Sequence, residues 1–149
     1  MIDTIILTRG QYNNLVSLAK NTLPNESCAI LSGKAIGKEI YIINSIPMKN
    51  SDSSNITFSI DPQQLIDIYK KVERQDMHVV GIFHSHPAEP TPSSLDKKFM
   101  EINPVAWIIY STITYQSRAF IFEEKIIEVQ IHVADSFRNG VNGQCHIIC

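Results

Sequence analysis

The sequence predicts an α/β fold in which a mixed, largely antiparallel sheet is flanked by two or three helices. Three observations lead there. Short apolar runs of strand length recur at 28–32, 39–46, 79–83 and 106–110. Two longer segments, 11–20 and 62–72, carry apolar residues at helical spacing instead. The last runs, 118–122 and 126–133, follow one another closely enough to finish an antiparallel meander.

Taken in order, residues 5–8 read as a short strand, and Thr8 then stands where it can cap a helix over 11–20. Tyr12, Leu15, Val16 and Ala19 form the apolar side of that helix. Residues 21–25 contain Pro24 and read as a break. The run 28–32, bounded by Gly33, reads as a buried strand, paired with 39–46 across a turn at 33–37. Residues 48–55 are polar and serine-rich, the clearest loop of the first half, and 57–59 suggest a brief strand. Asp61-Pro62 is a strong helix start, a capping carboxylate followed by a proline at the first helical position. Leu65, Ile66, Ile68, Tyr69 and Val72 supply its apolar face. From Ala134 onward periodicity disappears. The expectation is one domain over 1–133 and a flexible C-terminal tail over 134–149.

Bulk properties exclude several function classes. A chain of 149 residues can bury the core of one domain, and 44% hydrophobic with 19% charged residues is ordinary for a globular protein. No apolar run is long enough to cross a bilayer, and the opening residues lack a signal-peptide pattern, so the cytoplasm is the expected compartment. The net charge is −2 and the 13 basic residues are scattered, which argues against nucleic-acid binding. Cys28, Cys145 and Cys149 are an odd count without framework spacing, which suits a reducing compartment.

The chemistry is concentrated in residues 81–96, GIFHSHPAEPTPSSLD. His84 and His86 stand at the end of a buried strand. On a regular strand the alternation of side chains is expected to send the two rings to opposite faces. Both therefore reach one metal only if the strand ends there, and Pro87 supplies the turn. Pro87, Pro90 and Pro92 stiffen the loop that delivers Ser93 and Asp96 to the next helix start. Two imidazoles and one carboxylate leave the fourth position of tetrahedral zinc open for water, the catalytic arrangement. Such a site also needs a carboxylate that is not a ligand, to take a proton and pass it to the leaving group. Taken alone, Ser93-x-x-Asp96 is a helix capping box with Asp in place of Glu, and one helix start can serve both purposes. His78, His132 and His146 read as surface or satisfied histidines.

These residues carry a resemblance. His84-Ser85-His86-Pro87 with Ser93-x-x-Asp96, preceded by Glu26-Ser-Cys28-Ala-Ile-Leu-Ser-Gly33, resembles the signature of the JAMM (MPN+) metallopeptidases. The order of elements matches from about residue 3 to 133. The resemblance implies a single MPN/JAMM-like, cytidine-deaminase-like domain. It makes His84, His86 and Asp96 the ligands of one zinc ion (Zn2+), Glu26 the general base, and Ser93 the donor to the oxyanion. Cys28 is read as a buried strand residue without a base beside it. Two departures stand out: Cys28-Ala29 replaces the common Cys-Gly, and the His86-to-Asp96 interval is one residue shorter than in the endosomal deubiquitinases.

The implied reaction is hydrolysis of the amide between the C-terminal diglycine of a ubiquitin-like modifier and a lysine, in a small prokaryotic-type member. A narrow cleft beside the 87–92 loop and residues 48–55, with an edge strand that pairs with the incoming tail, would favour glycine beside the metal. The competing readings are a peptidase that processes the C-terminus of a sulfur-carrier protein, and a non-catalytic binding module. Cys145, His146 and Cys149 could hold a second metal, but a disordered terminus is the simpler reading.

Overall fold

Thr8 ends one element and starts the next. The run Thr4–Thr8, with Ile5, Ile6 and Leu7 all buried, forms strand β1. At its end the Gln11 N–H donates to the Thr8 hydroxyl at 3.1 Å, and the Thr8 N–H donates back to the Gln11 side chain at 2.8 Å. This reciprocal cap satisfies two orphan donors and starts helix α1, Arg9–Asn21, ahead of where the apolar periodicity begins. The structure, a computed structural model, describes residues 1–49, 61–138 and 146–148. The expected strand at 57–59, and the 48–55 loop from residue 50 on, lie outside them.

β2 (Ser27–Ile36) and β3 (Glu39–Met48) form a long hairpin. Its turn is tighter than the 33–37 turn the sequence suggests: Ile36 already pairs with Glu39, and Gly37 takes the positive φ of 61° that the reversal needs. Gly33 lies inside β2, at a register shift against β3. A Cβ there would stand 1.8 Å from the Tyr41 carbonyl oxygen, so only glycine lets the two backbones approach. Gly33→Ala is therefore expected to cost on the order of 3 kcal/mol, the upper range for overpacking. Urea unfolding measures it, and a midpoint equal to wild type would show that the hairpin opens freely here.

Helix α2, Pro62–Arg74, begins as expected: the Gln64 N–H donates to the Asp61 carboxylate. β4 (His78–His86), α3 (Ser94–Ile102), β5 (Ala106–Ser111), β6 (Ser117–Glu123) and β7 (Lys125–Ala134) follow. β7 runs through the buried Ala134, one residue past the expected domain boundary. Beyond it β8 (Ser136–Arg138) pairs antiparallel with β9 (His146–Ile148). Among the described residues no helix is long and apolar enough to cross a membrane.

The strand order β1-β3-β2-β4-β5-β6-β7 closes on itself through a parallel β1–β7 pair. The pairs β1–β3 and β4–β5 are also parallel and the other four antiparallel, so the sheet is mixed as expected, but closed. β1 covers β3 only at Glu39, Ile40 and Tyr41, so among the described residues the rest of β3 pairs with β2 alone. Side chains alternate between two cores. Ala29, Leu31, Ile108 and Tyr110 pack with Leu15 and Ala19 of α1. Cys28, Ile30, Ile82 and Ile109 pack with Ile68 and Val72 of α2 and Met100 of α3.

Candidate metal centre

The site grows from the second of these faces. β2 and β4 are antiparallel neighbours in which Cys28 pairs with His84 and Ser27 with Ser85. Side chains repeat every second residue along a strand. His84 and His86 therefore share one face, with Ile82 below them, and Ser85 points to the other. This corrects the expectation that the strand must end for both rings to meet. β4 continues through His86, and the rings stand with centroids 5.4 Å apart. The same periodicity on β2 brings Glu26 to the histidines, in line with Cys28 and Ile30.

The last member arrives from a helix start. The Asp96 N–H donates to the Ser93 hydroxyl at 3.1 Å and the Ser93 N–H donates to Asp96 Oδ2 at 2.9 Å, the complete capping box. The carboxylate faces the histidines at the same time. Asp96 Oδ1 is 3.5 Å from His84 Nε2, and Oδ2 is 3.9 Å from His86 Nε2. Glu26 Oε1 approaches His84 Nε2 to 3.0 Å. Glu26, His84, His86 and Asp96 are all buried, while Ser93 is exposed at the rim.

Two carboxylates buried together require a cation. His84 is the ring that lies against both of them, 3.0 Å from Glu26 and 3.5 Å from Asp96. Burial pulls its pKa down, but the hydrogen bond to Glu26, the charges of Asp96 and Glu26 and the Ser27 carbonyl outweigh that and leave it raised. His86 goes the other way: burial and the neighbouring His84 charge lower its pKa against the pull of the carboxylates and the Thr91 backbone. Burial, with a smaller push from the Asp96 charge, holds the Cys28 thiol far above its ordinary range. Cys28 is thus a protonated wall residue with no nucleophilic character.

The donor set fits a divalent metal. Among the described residues no three such side chains already stand as a finished ligand shell, and Glu26 Oε1 lies 3.0 Å from His84 Nε2. Yet His86 Nε2 is buried with no hydrogen-bond partner among the described residues, an expensive state for a ring nitrogen. Donors around tetrahedral zinc lie about 3.3 Å apart. The 3.5 and 3.9 Å gaps from Asp96 to the two rings are of that order. His84 Nδ1 is engaged by the Ser27 carbonyl at 3.1 Å, which leaves Nε2 directed at the centre.

All five residues singled out in the sequence come together. They line one cleft of about 770 Å³, whose other walls include Leu65, Phe99 and Trp107. Sequence reasoning missed the residues behind the ligands, namely Ser27, Ser85 and Thr91. The alternation in His-Ser-His was the available signal for Ser85.

Two imidazoles and two carboxylates converging in the wall of an open cleft define a hydrolase-type site. The chain belongs to the family described as prokaryotic homologs of the JAB domain, which matches residues 8–122. A relative from Pyrococcus furiosus named desampylase is 34% identical over 112 residues, 73% of this chain and 79% of its own length. A relative from Mycobacterium tuberculosis named CysO-cysteine peptidase is 27% identical over 112 residues, 74% of this chain and 75% of its own. A solution structure of a protein from Desulfitobacterium hafniense superimposes with a TM-score of 0.77 at 29% identity, covering 89% of this chain and 94% of that one.

Proposed function

We propose that this chain is a zinc-dependent isopeptidase that hydrolyses the amide between the C-terminal diglycine of a ubiquitin-like modifier and a lysine. One observation carries the reading: Glu26, His84, His86 and Asp96 converge, buried, in the wall of a cleft of about 770 Å³. The relative named desampylase supports the substrate class. The relative named CysO-cysteine peptidase favours a second reading, in which the cut releases the C-terminal residue of a sulfur-carrier protein.

His84, His86 and Asp96 would hold the zinc. When bound, zinc supplies Lewis acidity and lowers the pKa of its water to about 7. Glu26 takes a proton from the attacking water and delivers it to the departing amine, so one carboxylate serves as base and then acid. Ser93 uses its oxygen to accept the Asp96 N–H, which leaves its hydroxyl hydrogen free to donate to the developing oxyanion.

The test is mass spectrometry of modifier–lysine conjugates and carrier fusions, incubated with the full chain with and without a chelator. Chelator-sensitive release at Gly-Gly, lost when the last glycine becomes valine, is the expected result. Cleavage that survives metal removal, or equal rates on both tails, would end the reading. Ser93→Ala should keep zinc, lose about 10²–10³-fold in rate, and lower stability by about 1 kcal/mol through the lost cap. Ser93→Gly separates the two effects, since glycine caps nearly as well: its rate should fall as far while stability holds. A wild-type rate in Ser93→Gly would reduce Ser93 to a cap.

A further inference from the structure

We propose that Ser85 is a positioning residue for the metal centre, acting through Ser27 on His84. The inference rests on the metal reading above and concerns how a ligand is held. Ser85 lies on the face of β4 opposite the histidines, fully buried, and pairs directly with the buried Ser27 of β2. The Ser27 N–H donates to Ser85 Oγ at 3.1 Å, and the two hydroxyls share a second hydrogen bond at 2.5 Å. A side chain thus holds the end of the β2–β4 ladder, at the residue that follows Glu26.

What that anchor fixes is a carbonyl. The Ser27 oxygen meets His84 Nδ1 at 3.1 Å. An imidazole whose Nδ1 donates to a carbonyl presents its Nε2 lone pair at the other side, the state a metal ligand requires. Ser85 therefore sets the orientation of His84 from behind the sheet, through one intervening backbone unit. His86 has a separate anchor, the Thr91 backbone in the proline loop. Loss of the Ser85 hydroxyl should accordingly weaken the His84 arm and leave the His86 arm in place.

The experiment measures zinc affinity of the full chain by chelator competition, and the visible spectrum of the cobalt-substituted protein, with no substrate present. Ser85→Ala is expected to bind zinc about 10- to 100-fold more weakly, the usual range for a lost outer-shell partner. Its cobalt bands should shift, and Ser85→Thr, which keeps the hydroxyl, should restore both readouts. In a His84→Ala background Ser85→Ala should bring no further loss, because it acts through that ring. Should Ser85→Ala fail to fold, Ser27→Ala removes the partner hydroxyl and is expected to weaken zinc in the same direction. A folded Ser85→Ala or Ser27→Ala with wild-type affinity and spectrum overturns the inference alone. Additive loss on top of His84→Ala overturns it as well. A wild-type chain that takes up no zinc removes the metal reading and this inference with it.

Discussion

Glu26→Gln is expected to abolish hydrolysis, by on the order of 10³-fold or more, while zinc content stays near wild type. The substitution keeps the shape of a buried side chain and removes its capacity to accept a proton. The experiment is decisive because geometry alone leaves Glu26 two possible jobs. Its Oε1 lies 3.0 Å from His84 Nε2, nearer than the Asp96 oxygen at 3.5 Å, so by distance it is as well placed to ligate as Asp96. Asp96 is tied to the start of α3 by its capping box, whereas Glu26 has no such second anchor among the hydrogen bonds of the site. A fixed carboxylate suits a ligand, and a freer one suits proton transfer. Metal analysis beside the activity assay decides: zinc lost along with activity makes Glu26 a ligand.

The His84→Ala, His86→Ala double variant is expected to lose zinc to background and to show no measurable cleavage. Removing both imidazoles leaves only the Asp96 and Glu26 carboxylates, without the nitrogen donors that zinc favours. The two single variants should differ in stability even without metal. His84 compensates Glu26 and Asp96, so His84→Ala leaves two buried carboxylates facing each other, a defect worth roughly 3–5 kcal/mol. His86 Nε2 makes no hydrogen bond among the described residues, so His86→Ala should cost much less. Thermal melts of metal-free proteins give the comparison. Equal melting points for the two variants would mean that His84 is not the buried cation of the site.

The sequence was most legible where one residue does a local job. Thr8 and Asp61 start their helices because capping chemistry depends only on residues three positions away, and Pro62 adds its fixed φ. The five residues of the site were legible because histidines, aspartate and serine lie in one short stretch and Glu26 follows by resemblance. Closure of the sheet was not. It depends on Thr4–Thr8 pairing with Gln130–Ala134, and neither segment carries a mark of its distant partner. The Gly33 bulge was hidden likewise: a glycine after an apolar run reads as a turn until the Tyr41 carbonyl is seen against it.

The β1–β7 seam also sets a timetable. β1 leaves the ribosome well before β7, the strand that completes its second side. Until then β1 can pair only with β3, and Ile5 and Leu7 lack part of the core that Val129 and Ile131 complete. Pairings of such long sequence separation form slowly, because loop closure must precede the contacts that reward it. A nascent chain halted before residue 130 therefore leaves β1 open on its second side, an edge flanked by apolar side chains and suited to capture by chaperones or by another unfinished copy.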